Sequence, residues 1–377
     1  MDGYAFHAQD RHARADTGAS GYLTIDLAAL RRNYRKLSLA VAPAAAAAVV
    51  KADAYGLGAE PVSRSLHAQG CRHFFVAQLM EAVELKPRLP NDTQLFVLNG
   101  LQPGAEESCA DAGIVPVLNS LEQFRRWSLA AQKLGRVLPA VVQFDTGMSR
   151  LGVAPQERTA LAAELKDCRN IEILFIMSHL ACADEMDNGQ NAEQLAEMHR
   201  IAAEFPDLDV CFANSGGVFL GGDYHGVLAR PGIALYGGAP SAGKPNPMEP
   251  VVRLEVAVIQ TRTVPAGTRI GYGGAHVASS EMRLATIAGG YADGFPRSLS
   301  GRGAVFHAGV RLPIVGRVSM DSITVDVTAL PDGALSLGSL VEVFGPHQTL
   351  EDVAEAAGTI SYEILTGLGR RYDRRYR

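Results

Sequence analysis

Lysine is scarce in this chain, and long hydrophobic runs are absent. The longest apolar stretch, Leu37 to Val50, spans fourteen residues, is mostly alanine and is broken by Pro43. It is too short for a bilayer and contains a helix breaker, so no membrane span is expected. Cysteine is sparse: Cys71, Cys109, Cys168, Cys182 and Cys211 are odd in number, scattered and never spaced as C-x-x-C. Neither a disulfide framework nor a metal site is expected, and a reducing cytoplasm fits best. Positive charge is not in excess, since the formal net charge is −5; that denies the chain the basic field of a nucleic-acid surface. An apolar h-region is missing from Met1 to Ser20, where Asp and Arg are mixed, so residues 1–20 read as a loose tail and not as a secretory signal.

What is present is 377 residues with 47% hydrophobic and 20% charged content, enough to bury one large core or two. From residue 22 to about 236, short apolar runs alternate with helix-like segments. The runs are Ala45–Val50, His73–Ala77, Gln94–Leu98, Ile114–Leu118, Ala140–Phe144, Ile173–Met177, Asp209–Ala213 and Gly226–Ala229. Stretches such as Leu27–Leu39, Ser120–Leu134, Pro155–Lys166 and Asn191–Glu204 are long enough to be helices. Eight apolar strands alternating with helices predict an α/β fold, a (β/α)₈ TIM-like barrel over residues 21–245. The turn-rich segment at 237–247 then leads into β-branched alternating runs, Val252–Thr263, Met282–Ile287, Gly303–Phe306, Arg311–Val315, Ser322–Val327 and Ser339–Phe344. These predict a mostly antiparallel β domain over residues 246–377, closed by a helical segment near Thr349–Leu368.

Polar residues follow the barrel strands: Lys51, Gln78, Asn99, Asn119, Asp145, His179, Asn214 with Ser215, and Arg230. That would place them on the C-terminal face, where barrel active sites lie. Lys51 stands out because only six lysines accompany 29 arginines, with none beyond Lys244. A lysine ending a buried apolar strand has its ammonium form penalised by desolvation, which frees the neutral amine needed for Schiff-base chemistry. Taken alone, such a lysine could equally snorkel to solvent.

Val50-Lys51-Ala-Asp-Ala-Tyr55-Gly-Leu-Gly58 resembles the pyridoxal-phosphate (PLP) lysine motif of the alanine racemase family. Further matches follow in order: Asp145-Thr-Gly-Met-Ser-Arg150-Leu-Gly, Ser178-His179-Leu-Ala-Cys-Ala-Asp184, Ala213-Asn214-Ser215, Arg230-Pro-Gly232-Ile233-Ala-Leu-Tyr236-Gly and Gly290-Tyr291-Ala-Asp-Gly294. Gly316-Arg317-Val-Ser-Met320-Asp321 and Thr359-Ile360-Ser-Tyr362 complete the set.

The resemblance implies a PLP-dependent racemase of L- and D-alanine that supplies D-alanine for peptidoglycan precursors and works as a homodimer with shared sites. Lys51 is implied as the lysine that carries the cofactor. Tyr55, Asn214, Ser215, Gly232, Ile233 and Tyr362 are implied as phosphate contacts, and Arg230 as the partner of the pyridine nitrogen. An arginine there donates a hydrogen bond but does not give up its proton, which leaves the cofactor a weaker electron sink. Tyr272, in Arg269-Ile-Gly-Tyr272-Gly-Gly, is implied as the second base, arriving from the partner subunit. His179 is implied to link it toward Arg230. Arg150 and the backbone of Met320 are implied to meet the substrate carboxylate, with Arg150 also near the cofactor phenolate. Asp184, Tyr291, Arg297, Arg317 and Ile360 are implied to line the substrate passage.

One departure stands out. Many family members carry a carbamylated lysine seven residues before this arginine, where Gln143 stands here; a small anion such as chloride beside Arg150 and Gln143 is expected in its place, the alternatives being a hydrogen bond from Arg150 to Gln143 or a nearby carboxylate. Two other readings remain at this stage, a racemase of another small amino acid such as serine and a non-catalytic PLP-binding homeostasis protein.

Overall fold

The computed structural model describes residues 18–377, so the tail expected at 1–20 lies almost entirely outside the described residues. Internal contacts divide the chain into two units, Ala28–Glu249 and a second one that joins the segment ending at Leu27 to Pro250–Arg377.

In the unit Ala28–Glu249, seven parallel strands succeed one another in chain order: Ala48–Val49, His73–Val76, Gln94–Val97, Val115–Leu118, Leu138–Gln143, Ile171–Met177 and Val210–Cys211. Ala45–Ala46 pairs in parallel with the eighth strand, Leu228–Ala229. The amides of Val227 and Arg230 donate to the carbonyls of Val210 and Ala213, both at 2.8 Å, which closes the ring. Helices Ala59–Ala68, Leu79–Leu85, Glu106–Asp111, Leu121–Leu134, Arg158–Asp167 and Gly189–Glu204 form the crossovers. The strands read as apolar runs because both of their faces are covered.

Helix Leu121–Leu134 shows how the sequence sets these elements. The Ser120 hydroxyl accepts from the Gln123 amide, Gly135 ends the helix at φ +64°, and Leu121, Phe124, Trp127 and Ala131 recur on one buried face. Such a cap is worth about 1 kcal/mol, and burial of that face supplies the larger share. Inside the ring, Phe75 stacks on Phe96 at 4.6 Å between centroids, and Phe96 packs on Phe175 at 5.5 Å.

The second unit is built on the long strand Val252–Val264. Its first half pairs antiparallel with Gly21–Ile25 and Leu340–Phe344, and its second half with Met282–Ile287, with a register shift between Val258 and Gln260. Ile323–Asp326 continues from Met282–Ile287, while Ala304–His307 and Val310–Pro313 form a hairpin beyond Leu340–Phe344. Asp373–Tyr376 pairs in parallel with residues 22–25, the one parallel pairing in this sheet among the described residues.

Two expectations need correction here. The barrel does not begin at residue 21, because Gly21–Ile25 is a strand of the second unit, buried along its whole length between residues 252–256 of the long strand and Asp373–Tyr376. The single helical segment expected near Thr349–Leu368 is two helices, Leu350–Ala357 and Ser361–Thr366, separated by Gly358 at φ +71°. A left-handed glycine ends the first helix where the sequence pattern runs on. Among the described residues no helix is long and apolar enough to cross a membrane.

Candidate active site

Lys51 begins directly where the first barrel strand ends, and the Val50 amide still donates to Phe75 O at 2.8 Å. The next four residues, Ala52 to Tyr55, all lie at φ +52° to +57°, a left-handed turn made without glycine. For L-residues that conformation costs roughly 1–2 kcal/mol each. Nothing in Lys-Ala-Asp-Ala-Tyr announces it. Asp53 closes the turn, its carbonyl accepting from Gly58 at 2.9 Å and its carboxylate from the Ala59 amide at 2.7 Å.

Burial pushes the Lys51 amine below its ordinary pKa, and the Arg150 and Arg230 cations push the same way, while the Glu81 carboxylate opposes them. His179 is driven down to about 3, first by burial and then by Arg230, Arg150 and Lys51. Its imidazole is therefore neutral near pH 7 and can donate at one nitrogen and accept at the other. A native pKa below the unfolded value of about 6.5 means that stability from this group is complete above that pH and is lost as pH falls toward 3. Chemical denaturation at pH 4.5 should show roughly 2 kcal/mol less stability than at pH 7 from this residue alone. His179→Gln should flatten that part of the slope, and an unchanged slope would refute the assignment.

Arg230 follows the eighth strand and is buried, only 2% exposed. Its Nη2 donates to the carbonyls of Ser178 and Phe212, and its Nε donates to Cys211 Sγ at 3.1 Å. Among the described residues it forms no ion pair with a carboxylate, and Nη1 has no protein partner. Beneath it runs a buried polar junction that sequence reasoning missed. Gln194 donates to Thr146 Oγ1 at 3.0 Å and to His179 O at 2.9 Å, and it accepts from Ala181 N–H at 2.8 Å. Thr146 meets Ser178 at 2.7 Å.

Arg150 ends a loop pinned by Asp145, whose Oδ1 accepts from the amides of Gly147, Met148 and Ser149 at 2.9 to 3.1 Å. Arg150 is exposed, and Gln143 is buried at the end of its strand with its carbonyl on Val153 N–H at 2.7 Å. After the seventh and eighth strands, Ser215 Oγ accepts from the amides of Gly232 at 2.8 Å and Ala234 at 3.3 Å. Asn214 Oδ1 accepts from Gly217 N–H at 2.9 Å. Ile233 is buried at the start of the short turn Ile233–Tyr236. Tyr55 packs on Tyr236 at 4.7 Å between ring centroids. A methyl group on Gly232 would sit 2.3 Å from the Tyr55 hydroxyl, so the backbone there runs directly under that oxygen.

The donor set suits an anionic, aromatic cofactor. Arg150 and Arg230 both act on Lys51 electrostatically, with Glu81 as the carboxylate that opposes them, and Arg230 is a buried cation with no carboxylate partner among the described residues. Lys51, Tyr55, Arg150, His179, Asn214, Ser215, Arg230, Gly232 and Ile233 all belong to the barrel unit. Tyr272, Met320 and Tyr362 belong to the other. There, Tyr272 is 71% exposed on the tight turn Tyr272–Gly274, next to Gly271 at φ +73°. Met320 and Tyr362 are also exposed, and the Met320 carbonyl accepts from Ala292 N–H at 3.0 Å.

Comparison with known proteins shows the family and its two-domain architecture. The family models "Alanine racemase, N-terminal domain" and "Alanine racemase, C-terminal domain" match residues 25–240 and 251–376. A Rhizobium johnstonii protein named "Alanine racemase, catabolic" is 71% identical over the full length of both chains. One of the same name from Agrobacterium fabrum is 65% identical, covering 96% of this chain and 94% of its own. Among solved structures, alanine racemase from Bartonella henselae with covalently bound pyridoxal phosphate superposes with a TM-score of 0.92 at 46% identity, over 95% of this chain and 100% of that one. The chain belongs to the alanine racemase family.

Proposed function

We propose that the chain interconverts L- and D-alanine with pyridoxal 5'-phosphate as cofactor, Lys51 carrying the cofactor and serving as one of two bases. The observation that carries this reading is the depressed Lys51 amine among Arg150, Arg230 and a neutral His179 at the barrel strand ends. When bound, the cofactor supplies an electron sink that acidifies the substrate Cα–H. The protein does the rest. Lys51, whose amine burial and the Arg150 and Arg230 cations hold below its ordinary pKa, takes or returns the proton on one face of Cα. Tyr272 of the partner subunit does so on the opposite face, since racemisation needs one group on each side. Its exposure in its own chain suits a hydroxyl offered to a second chain. His179, uncharged, links that tyrosine toward Arg230, and Arg230 holds the ring nitrogen by a donor that keeps its proton. Arg150 and the Met320 backbone orient the substrate carboxylate.

Phosphate falls to Tyr55, Tyr362, Asn214, Ser215 and the backbone at Gly232 and Ile233. Gly232→Ala is expected to displace the Tyr55 hydroxyl and raise the PLP dissociation constant about tenfold or more, with little change in thermal midpoint. Fluorescence titration of the apoprotein measures it, and unchanged affinity would remove Tyr55 from the phosphate site.

Mirror-image substrates have equal free energies, so racemisation serves synthesis or breakdown of D-alanine according to what consumes the product. The names of the two most similar relatives given above favour a catabolic role over the peptidoglycan supply expected from the sequence. Five free cysteines favour a reducing cytoplasm. Incubation of L-alanine in deuterium oxide tests the reaction class: deuterium should enter Cα in step with racemisation, and its absence would contradict proton exchange at that carbon.

A further inference from the structure

The left-handed turn after Lys51 needs something to hold it. Four successive side-chain-bearing residues with positive φ persist only where neighbouring structure over-determines them. Part of that support is local, from Val50 O to Ala54 N–H at 2.9 Å and from Asp53 to Gly58 and Ala59. The remainder comes from the next crossover helix, Leu79–Leu85. Glu81 Oε1 accepts from the Ala52 amide, while Oε2 accepts from the amides of Ala77 at 2.7 Å and Gln78 at 2.9 Å. One carboxylate thus bridges the first left-handed residue, adjacent to Lys51, to the end of the neighbouring strand. All three partners are donors, so both oxygens must accept. A glutamine in this place would turn its NH₂ group against an N–H on one side or the other.

We propose that Glu81 is a positioning residue for the cofactor lysine: it clamps the strained turn through Ala52 N–H and thereby fixes where Lys51 leaves the barrel strand. This rests on the reading of Lys51 as the cofactor-bearing amine. Its charge also supports the role, being the one influence that raises the Lys51 amine against Arg150 and Arg230.

The test is a double-mutant cycle on the full-length holoenzyme with Glu81→Gln, Ala52→Gly and the pair. Three quantities are measured: the PLP dissociation constant from the bound-cofactor absorbance, kcat and KM for L-alanine, and the thermal midpoint. Glu81→Gln should weaken PLP binding and lower kcat by about tenfold each, with KM within about twofold. Ala52→Gly alone should change little. In the pair, glycine adopts the left-handed conformation without steric cost, so at least half of the logarithmic loss should be recovered. Equal losses in both backgrounds would mean that Glu81 merely caps its helix, and an unaffected Glu81→Gln protein would likewise overturn the proposal. Should Glu81→Gln fail to fold, Glu81→Asp is carried through the same cycle, with the same recovery expected from Ala52→Gly. Borohydride reduction of the wild-type holoenzyme, followed by peptide mapping, checks the premise separately, since a label on any other lysine would overturn the reading of Lys51 itself.

Discussion

Lys51→Ala is expected to abolish racemisation, with kcat for L-alanine falling on the order of 10⁴-fold or more because covalent attachment and one proton-transfer group vanish together. The protein should also lose the absorbance band of the bound cofactor and any borohydride-stable label. Folding should survive. Lys51 opens a turn, is partly buried and makes no side-chain hydrogen bond among the described residues, and removing an amine that burial and two arginines already disfavour as a cation relieves an electrostatic cost. A Lys51→Ala protein that still holds the cofactor after reduction would place the attachment elsewhere.

Mixing two inactive proteins should restore activity. Tyr272→Phe is expected to lower kcat by roughly 10²–10⁴-fold, the range for losing a positioned acid or base. If Tyr272 acts across a homodimer, a hybrid of Lys51→Ala and Tyr272→Phe chains holds one site with both wild-type groups and one with neither. Statistical exchange of equal amounts then makes half of the dimers hybrid, and about a quarter of wild-type activity should return. The control is each variant mixed with itself. No recovery, with exchange demonstrated by native mass spectrometry, would mean that Tyr272 does not serve a neighbouring chain's site.

The barrel was legible because its strands are covered on both faces and so appear as continuous apolar runs, His73–Val76 and Ile171–Met177 among them. Gly21–Ile25 has the same texture, and nothing in its sequence says that its partners lie more than 200 residues away. Asp373–Tyr376 escaped notice because Asp373, Arg374 and Arg375 hide a strand that pairs through its backbone. At the site, Lys51, His179 and Arg230 could be picked out by position after strands, whereas the roles of Gly232, Met320, Tyr272 and Tyr362 came only with the motif resemblance. The left-handed run after Lys51 was invisible, since Ala52 to Tyr55 contain no glycine. Glu81 left a partial trace: Gln78-Leu-Met-Glu81 is the spacing of a helix-capping box, but its bond to Ala52 depends on tertiary structure. Gln194 left no trace at all, since one glutamine in a polar helix is unremarkable until its three bonds are seen.

The most direct measurement is the circular dichroism of L-alanine incubated with the purified protein, with and without added PLP. With PLP the signal should decay to zero, the amino acid should remain intact by chromatography, and D-alanine should approach half of the total. A signal that stays constant at full cofactor occupancy, or one that decays through conversion of alanine to its keto acid, would contradict a two-base racemase built on Lys51.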